Sequence, residues 1–308
     1  MKTNHSHPFR SPTAKETFLA RYDALAEKWP VPSETTTIAT SYGQTFVRIS
    51  GPAEAAPLVL LHGHSENSLN WMPNIEGLSQ TYRTYAVDTI SDPGRSVCTR
   101  LMKSAGDYTT WLDELFEGLG LAQGINLIGL SYGGWLTSQY ALRFPQRLGK
   151  IVLMAPPAIA PFPVKFIILA MFLSLFQYQI KFLFKRFNRW MFKRLTRQMF
   201  QDFIAMHENG KEKFDEWFDF LYLGIQSYKV QPIVFARLLT DEELRQLTLP
   251  TLFLTGENEI IYSVADAIQR LREVAPHIQT KTIANAGHDL PIAQPQAVNL
   301  AILDFLQG

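Results

Sequence analysis

The sequence predicts an α/β fold, with a mostly parallel central sheet flanked by helices and interrupted by an all-helical insertion. Three observations carry this expectation. Short apolar runs at 58–62, 85–88 and 150–154 have strand length and the two-sided hydrophobicity of parallel strands covered on both faces. Segments of helical periodicity at 110–119 and 135–144 fall between them. From residue 155 to about residue 237 the alternation stops in a long aromatic and basic stretch, then resumes with an apolar run at 251–255.

Taken in order, residues 12–29 place Phe18, Leu19, Tyr22, Leu25 and Ala26 at helical spacing. This predicts an amphipathic helix on the outside of the main domain, stopped by Pro30 and Pro32. The β-rich runs 35–40 and 45–50 surround Tyr42-Gly43-Gln44, which predicts an antiparallel hairpin at a sheet edge. Central strands follow at 58–62, 85–88, 126–130 and 150–154. Beyond the insertion come a strand at 251–255, a helix at 263–274, a strand at 279–283 and a final helix at 294–306. The expected organisation is a core of residues 1–157 and 238–308 with a helical cap at 158–237.

A chain of 308 residues is long enough for one large α/β core with an insertion. Its 46% hydrophobic and 19% charged residues exclude a disordered chain. The single cysteine, Cys98, permits no internal disulfide, so a reduced, cytoplasmic setting is expected. Residues 1–15 are polar and lack the apolar stretch of a signal peptide. The net charge of +1 conceals an asymmetry: residues 161–200 hold eight Lys or Arg and no acid, leaving the remainder about seven units negative. Within that region Lys181, Lys185, Arg189, Lys193 and Arg197 recur every four residues, while Phe184, Phe187, Met191 and Leu195 recur at three and four. This predicts a basic amphipathic helix. The apolar run at 166–176 is too short to span a bilayer. Two roles stay open for the insertion: a lid packed on the core, or a lid that also rests peripherally on anionic membrane. A nucleic-acid partner is not expected.

The chemistry centres on residues 126–134, Asn-Leu-Ile-Gly-Leu-Ser-Tyr-Gly-Gly. An apolar strand runs into a turn flanked by Gly129 and Gly133 and then into a helix, with Ser131 at the tip, which is the strand–elbow–helix context of a G-x-S-x-G nucleophile. A serine hydroxyl needs an imidazole as base and a carboxylate to orient that imidazole. His288, in a short glycine-bearing loop after the last predicted strand, is the candidate base. The acid belongs in the loop Gly256-Glu257-Asn258-Glu259, where Glu259 is favoured and Glu257 is the alternative. Tyr132, immediately after the nucleophile, would supply one backbone N–H to an oxyanion at the start of a helix. Trp71, Met72, Trp135 and Met154 are candidates for an acyl pocket, against the alternative that they are core. A metal reading of His62 and His64 lacks further ligands at a recognisable spacing, and His62 is expected to brace its loop. With no phosphate loop, zinc cluster or dinucleotide fingerprint in its proper context, no cofactor is expected.

Five motifs in order, His62-Gly63 after a strand, Asp88 with Asp92-Pro93-Gly94-Arg95-Ser96, Gly129 to Gly133, Gly256 to Glu259, and Asn285 to His288, make the chain resemble the α/β-hydrolase superfamily. Within it, the chain is similar to bacterial carboxylesterase-type members with an inserted cap. The likeness covers nearly the whole chain and departs from the usual pattern in having Glu259 where aspartate is common. It implies a serine hydrolase that cleaves small-molecule carboxylic esters with an apolar acyl group through an acyl-enzyme on Ser131. It also implies a second oxyanion donor in the backbone N–H of His64, and a mainly structural role for Asp88 and Asp92. Lipase, thioesterase, lactonase and C–C bond hydrolase chemistry use the same residues and stay open, as does a non-catalytic binding protein on this scaffold.

Overall fold

The computed structural model describes residues 8–161, 185–229 and 234–308, with the side chains of 185–188 excepted. Its centre is a sheet in the order β1-β2-β4-β3-β6-β7-β8-β9. The hairpin β1 (Ser33–Thr40) and β2 (Gly43–Ser50) is antiparallel and forms one edge, as its composition predicts. Gly43 opens β2 at φ +139, and a Cβ there would lie 2.0 Å from Val97 O. Only glycine fits, because the short β5 (Val97–Cys98) pairs against β2 at that point.

β2 also pairs antiparallel with β4 (Arg83–Val87). From there β3 (Pro57–Leu61), β6 (Ile125–Leu130), β7 (Leu148–Met154), β8 (Thr251–Gly256) and β9 (Gln279–Ile283) are all parallel. β3 explains why its sequence reads as unbroken apolar residues. Val59 and Leu61 enter the core on one face with Trp111 and Leu115, while Leu58 and Leu60 enter the other with Trp71 and Ile75.

Helices α2 (Met72–Ser79), α3 (Ala105–Gly118) and α4 (Tyr132–Arg143) connect the first half of the sheet. After β8 come α9 (Val264–Val274), α10 (Leu290–Ala293) and α11 (Pro295–Gln307), following α8 (Asp241–Gln246) before it. Ser104 and Ser263 cap α3 and α9 with side-chain oxygens that accept backbone N–H groups.

Between β7 and α8 the described elements are helical: α5 (Lys185–Met199), α6 (Gln201–Met206) and α7 (Gly210–Ser227). The apolar run at 166–176, with Lys181 and Phe184, lies outside the described residues. The basic side of α5 departs from expectation. Arg189 pairs with Asp219, and Lys193 reaches Asp215 at 2.9 Å, both on α7. Phe192, between them, packs on Phe218 at 5.7 Å. Long basic stems cover apolar surface while their charges meet acids, so part of this face is spent on helix packing.

The first helix, α1 (Pro12–Ala26), also differs from an outer decoration. Phe18 stacks on Phe220 of α7 at 5.3 Å, while the Tyr22 hydroxyl bonds Ser68 and donates to Asp88. Its two buried aromatics wedge α1 between the inserted helices and the core.

Candidate active site

Ser131 sits where β6 ends and α4 begins, at φ 52 and ψ −117, a left-handed conformation that costs a non-glycine residue of the order of 1–3 kcal/mol. Its N–H donates to Met154 O at 2.8 Å, and its carbonyl accepts the N–H of Trp135. No capping bond ties its side chain to α4. The turn is possible because neighbouring backbones nearly touch. A Cβ on Gly129 would stand 2.0 Å from Gly133 O, and one on Gly133 would stand 2.5 Å from Leu61 O. Tyr132 is the first residue of α4, so its N–H has no partner within the helix. Its hydroxyl donates to Val234 O at 2.8 Å.

His288 follows β9, and its Nδ1 lies 2.7 Å from Glu259 Oε2. Glu259 Oε1 accepts the N–H groups of Ile260 and Ile261 at 2.8 and 2.9 Å. The other candidate acid, Glu257, instead accepts the Asn285 N–H and is exposed. With Nδ1–H donated to the carboxylate, the lone pair of His288 is on Nε2. No hydrogen bond joins His288 to Ser131 here; such bonds commonly tighten only with substrate in place. Burial acts to lower the His288 pKa, but the Glu259 carboxylate, joined by Glu66 and Asp289, outweighs it and holds the imidazole above its ordinary value. Burial likewise acts to raise Glu259, and the His288 charge with two backbone donors brings its pKa below the usual range.

The loop after β3 is organised by two histidines. Thr89 N donates to His62 Nε2 at 3.0 Å, so His62 carries its proton on Nδ1 and donates it to Gly63 O at 2.7 Å. This is the bracing role expected of His62. His64 Nδ1 pairs with buried Asp92 at 2.9 Å, and Asp92 also accepts the Ser65 N–H. Asp88 accepts the N–H groups of Ser68 and Arg95. These two aspartates tie the loop after β4 to the loop after β3, in agreement with a structural role.

Of the four pocket candidates, Trp71, Trp135 and Met154 are 0–1% exposed and belong to the core, which corrects their assignment. Large apolar residues at strand and helix spacing give no sign of which face they take. Met72 instead lines a cavity, which it shares with Glu66 and Asn70. Sequence pattern gave no reason to single out Glu66, Asn70, Asp202 or Asp289, because each acts through partners distant in the chain.

Residues 58–301 match the alpha/beta hydrolase family, and the chain belongs to it. It is 34% identical over 291 residues to the uncharacterized carboxylesterase nap of Bacillus subtilis, spanning 93% of this chain and 91% of that one. It is 32% identical over 294 residues to carboxylesterase YbfK of the same organism, spanning 94% of each. Among solved structures, naproxen esterase (carboxylesterase NP) from Bacillus subtilis superimposes with a TM-score of 0.82 at 32% identity, covering 96% of this chain and 99% of that one.

Proposed function

We propose that the protein is a carboxylesterase that hydrolyses small-molecule carboxylic esters through an acyl-enzyme on Ser131. His288 takes the serine proton on Nε2 as Ser131 attacks the acyl carbon, then passes it to the departing alcohol. Water activated by the same nitrogen releases the acid. Glu259 fixes the imidazole tautomer and stabilises its charged form. The backbone N–H groups of Tyr132 and His64 receive the oxyanion. The observation that carries this reading is the 2.7 Å contact of His288 with buried Glu259, on a chain whose elbow holds Ser131 at positive φ. Relatives named as carboxylesterases along nearly the full chain support it.

A panel of aryl esters of increasing acyl length, run beside labelling with a fluorophosphonate probe, tests the assignment. Turnover with a Ser131 adduct is expected. Folded protein that neither hydrolyses the panel nor takes the label belongs to the non-catalytic alternative.

In the same reading, residues 158–237 are the cap over the core formed by 1–157 and 238–308, and the setting is the reduced cytoplasm. Peripheral contact with anionic membrane is the finer proposal. It is favoured by Trp190, 56% exposed on α5, with Arg194 over its ring at 5.6 Å and Arg197 exposed one turn on. Among the described residues no helix is long and apolar enough to cross a membrane.

A further inference from the structure

Between α1, the stretch 65–73 and α7 lies a cavity of about 320 Å³. Its wall is largely apolar, with Leu69, Met72 and Phe220 among the lining residues, and exposed Lys28, Lys213 and Glu216 mark the rim. Ser65, Glu66, Asn67 and Asn70 interrupt that wall, and Asn67 is already held by Pro93 O and the Leu69 N–H. Glu66 Oε2 accepts the Gly63 N–H at 3.1 Å. A Cβ built on Gly63 would lie 2.7 Å from that oxygen and 3.6 Å from Ser131 Cβ, so the carboxylate and the nucleophile flank the same point. Asn70 is 8% exposed, and among the described residues neither Nδ2 nor Oδ1 has a hydrogen-bond partner. A buried amide with both ends unpaired beside a cavity leaves a donor and an acceptor for a ligand or an ordered water to meet.

We propose that this cavity is the subsite for the acyl arm of the ester and that Glu66 and Asn70 set its specificity. Asn70 hydrogen-bonds an uncharged polar group, such as a hydroxyl, on an otherwise apolar arm, and Glu66 turns away arms that carry a carboxylate. The inference rests on the carboxylesterase reading and narrows the expected apolar acyl group to one with a polar substituent.

The charge on Glu66 depends on pH. Burial pushes its carboxyl up to about 7, against the lowering pull of His288 and the Gly63 N–H. Exclusion of carboxylates therefore grows as pH rises through about 7 and fades below it. His288, His64 and Asp92 face Glu66 from the neighbouring loops, and Lys28, Lys213 and Glu216 stand at the rim. Because His64 also loses positive charge as pH rises, Glu66 is isolated by variant rather than by pH alone.

The test compares kcat/KM for aryl esters of three acids of equal length, ending in methyl, hydroxyl or carboxylate, between pH 6 and 8.5. Ratios between substrates cancel the shared catalytic steps. Glu66→Gln is expected to raise the carboxylate-to-methyl ratio about tenfold at the high end, as for like charges about 6 Å apart at an effective dielectric of about 40. Asn70→Leu is expected to lower the hydroxyl-to-methyl ratio about tenfold at every pH, the order of one neutral hydrogen bond. If Glu66→Gln fails to fold, inhibition of the unaltered enzyme by the carboxylate product weakens as pH passes 7, while inhibition by the matching amide does not. Ratios that move in neither variant, or in only one of two folded variants, overturn the proposal. Failure to hydrolyse even the methyl-terminated ester counts instead against the esterase reading.

Discussion

Asn258 Nδ2 lies 3.1 and 3.0 Å from the two carboxylate oxygens of Asp202. One residue sits beside Glu259 in the loop after β8 and the other in the first turn of α6, so the inserted helices grip the loop that carries the candidate acid. A second tie runs beside it, where Phe203 N donates to Asp289 Oδ2 at 3.4 Å, next to His288. Asp202→Ala removes one tie at an exposed position and is expected to cost about 0.5–1.5 kcal/mol. Limited proteolysis should cut the inserted region sooner, with hydrolysis of small esters lowered only several-fold; unchanged cleavage would mean that the contact holds nothing in place.

Ser131→Ala and His288→Ala should each reduce turnover on the order of 10⁴-fold or more, with the double variant close to either single one. Both belong to one proton-coupled attack. Losses that multiply in the double variant would show that the two residues act separately.

Glu259→Gln should lower turnover about 10³- to 10⁴-fold, whereas Glu257→Gln should stay within about twofold. The residual activity of Glu259→Gln carries a further signature. The carboxylate raises the His288 pKa, so its removal shifts the acid limb of kcat/KM to lower pH. An acid limb that stays in place would detach Glu259 from the imidazole.

Asp289 makes stability depend on pH. Burial pushes its carboxyl up to about 7, well above the ordinary value of 3.8. Between these values the folded chain holds more protons than the unfolded one, so this group's contribution falls as pH rises from about 4 to 7. Asp289→Asn cannot ionise, and its Tm should fall less than that of the unaltered protein between pH 5 and pH 8. Parallel Tm curves would show that Asp289 does not titrate in this range.

Sedimentation with anionic and neutral vesicles at low and high salt tests the membrane proposal. Binding to anionic vesicles that fades with salt is expected, because charge attraction is screened. Since Arg189 and Lys193 are engaged by acids of α7, Arg194→Ala with Arg197→Ala should weaken it more than Arg189→Ala with Lys193→Ala. Equal, negligible sedimentation in all four conditions removes the proposal.

What could be read from the sequence follows a physical division. The hairpin and every parallel strand named there are found, because two-sided burial writes itself locally into runs such as Leu58 to Leu61. Helix starts were less legible. α4 begins at Tyr132, three residues before its apolar periodicity, since Gly133 and Gly134 are demanded by close backbone approach and carry no helical signal. α3 begins at Ala105 behind its Ser104 cap, five residues before the periodic segment. In the candidate site, Ser131, His288 and Glu259 lie in loops whose glycines and order mark them. Glu66 and Asn70 are defined by a cavity that forms only when α1, the 65–73 stretch and α7 meet. No local pattern encodes that meeting.

The close approach of Gly129, Gly133 and Leu61 O has a consequence for how such a site can change. The nucleophile is located by main-chain atoms pressed against main-chain atoms, with no side chain as an adjustable spacer between them. Substitution in the surrounding core can alter stability, but it offers no fine adjustment of where Ser131 points: the elbow is either kept whole or lost. Variation in what the protein accepts is thereby channelled to the walls contributed by α1, the 65–73 stretch and α7, which can be recut while the reacting end keeps its geometry.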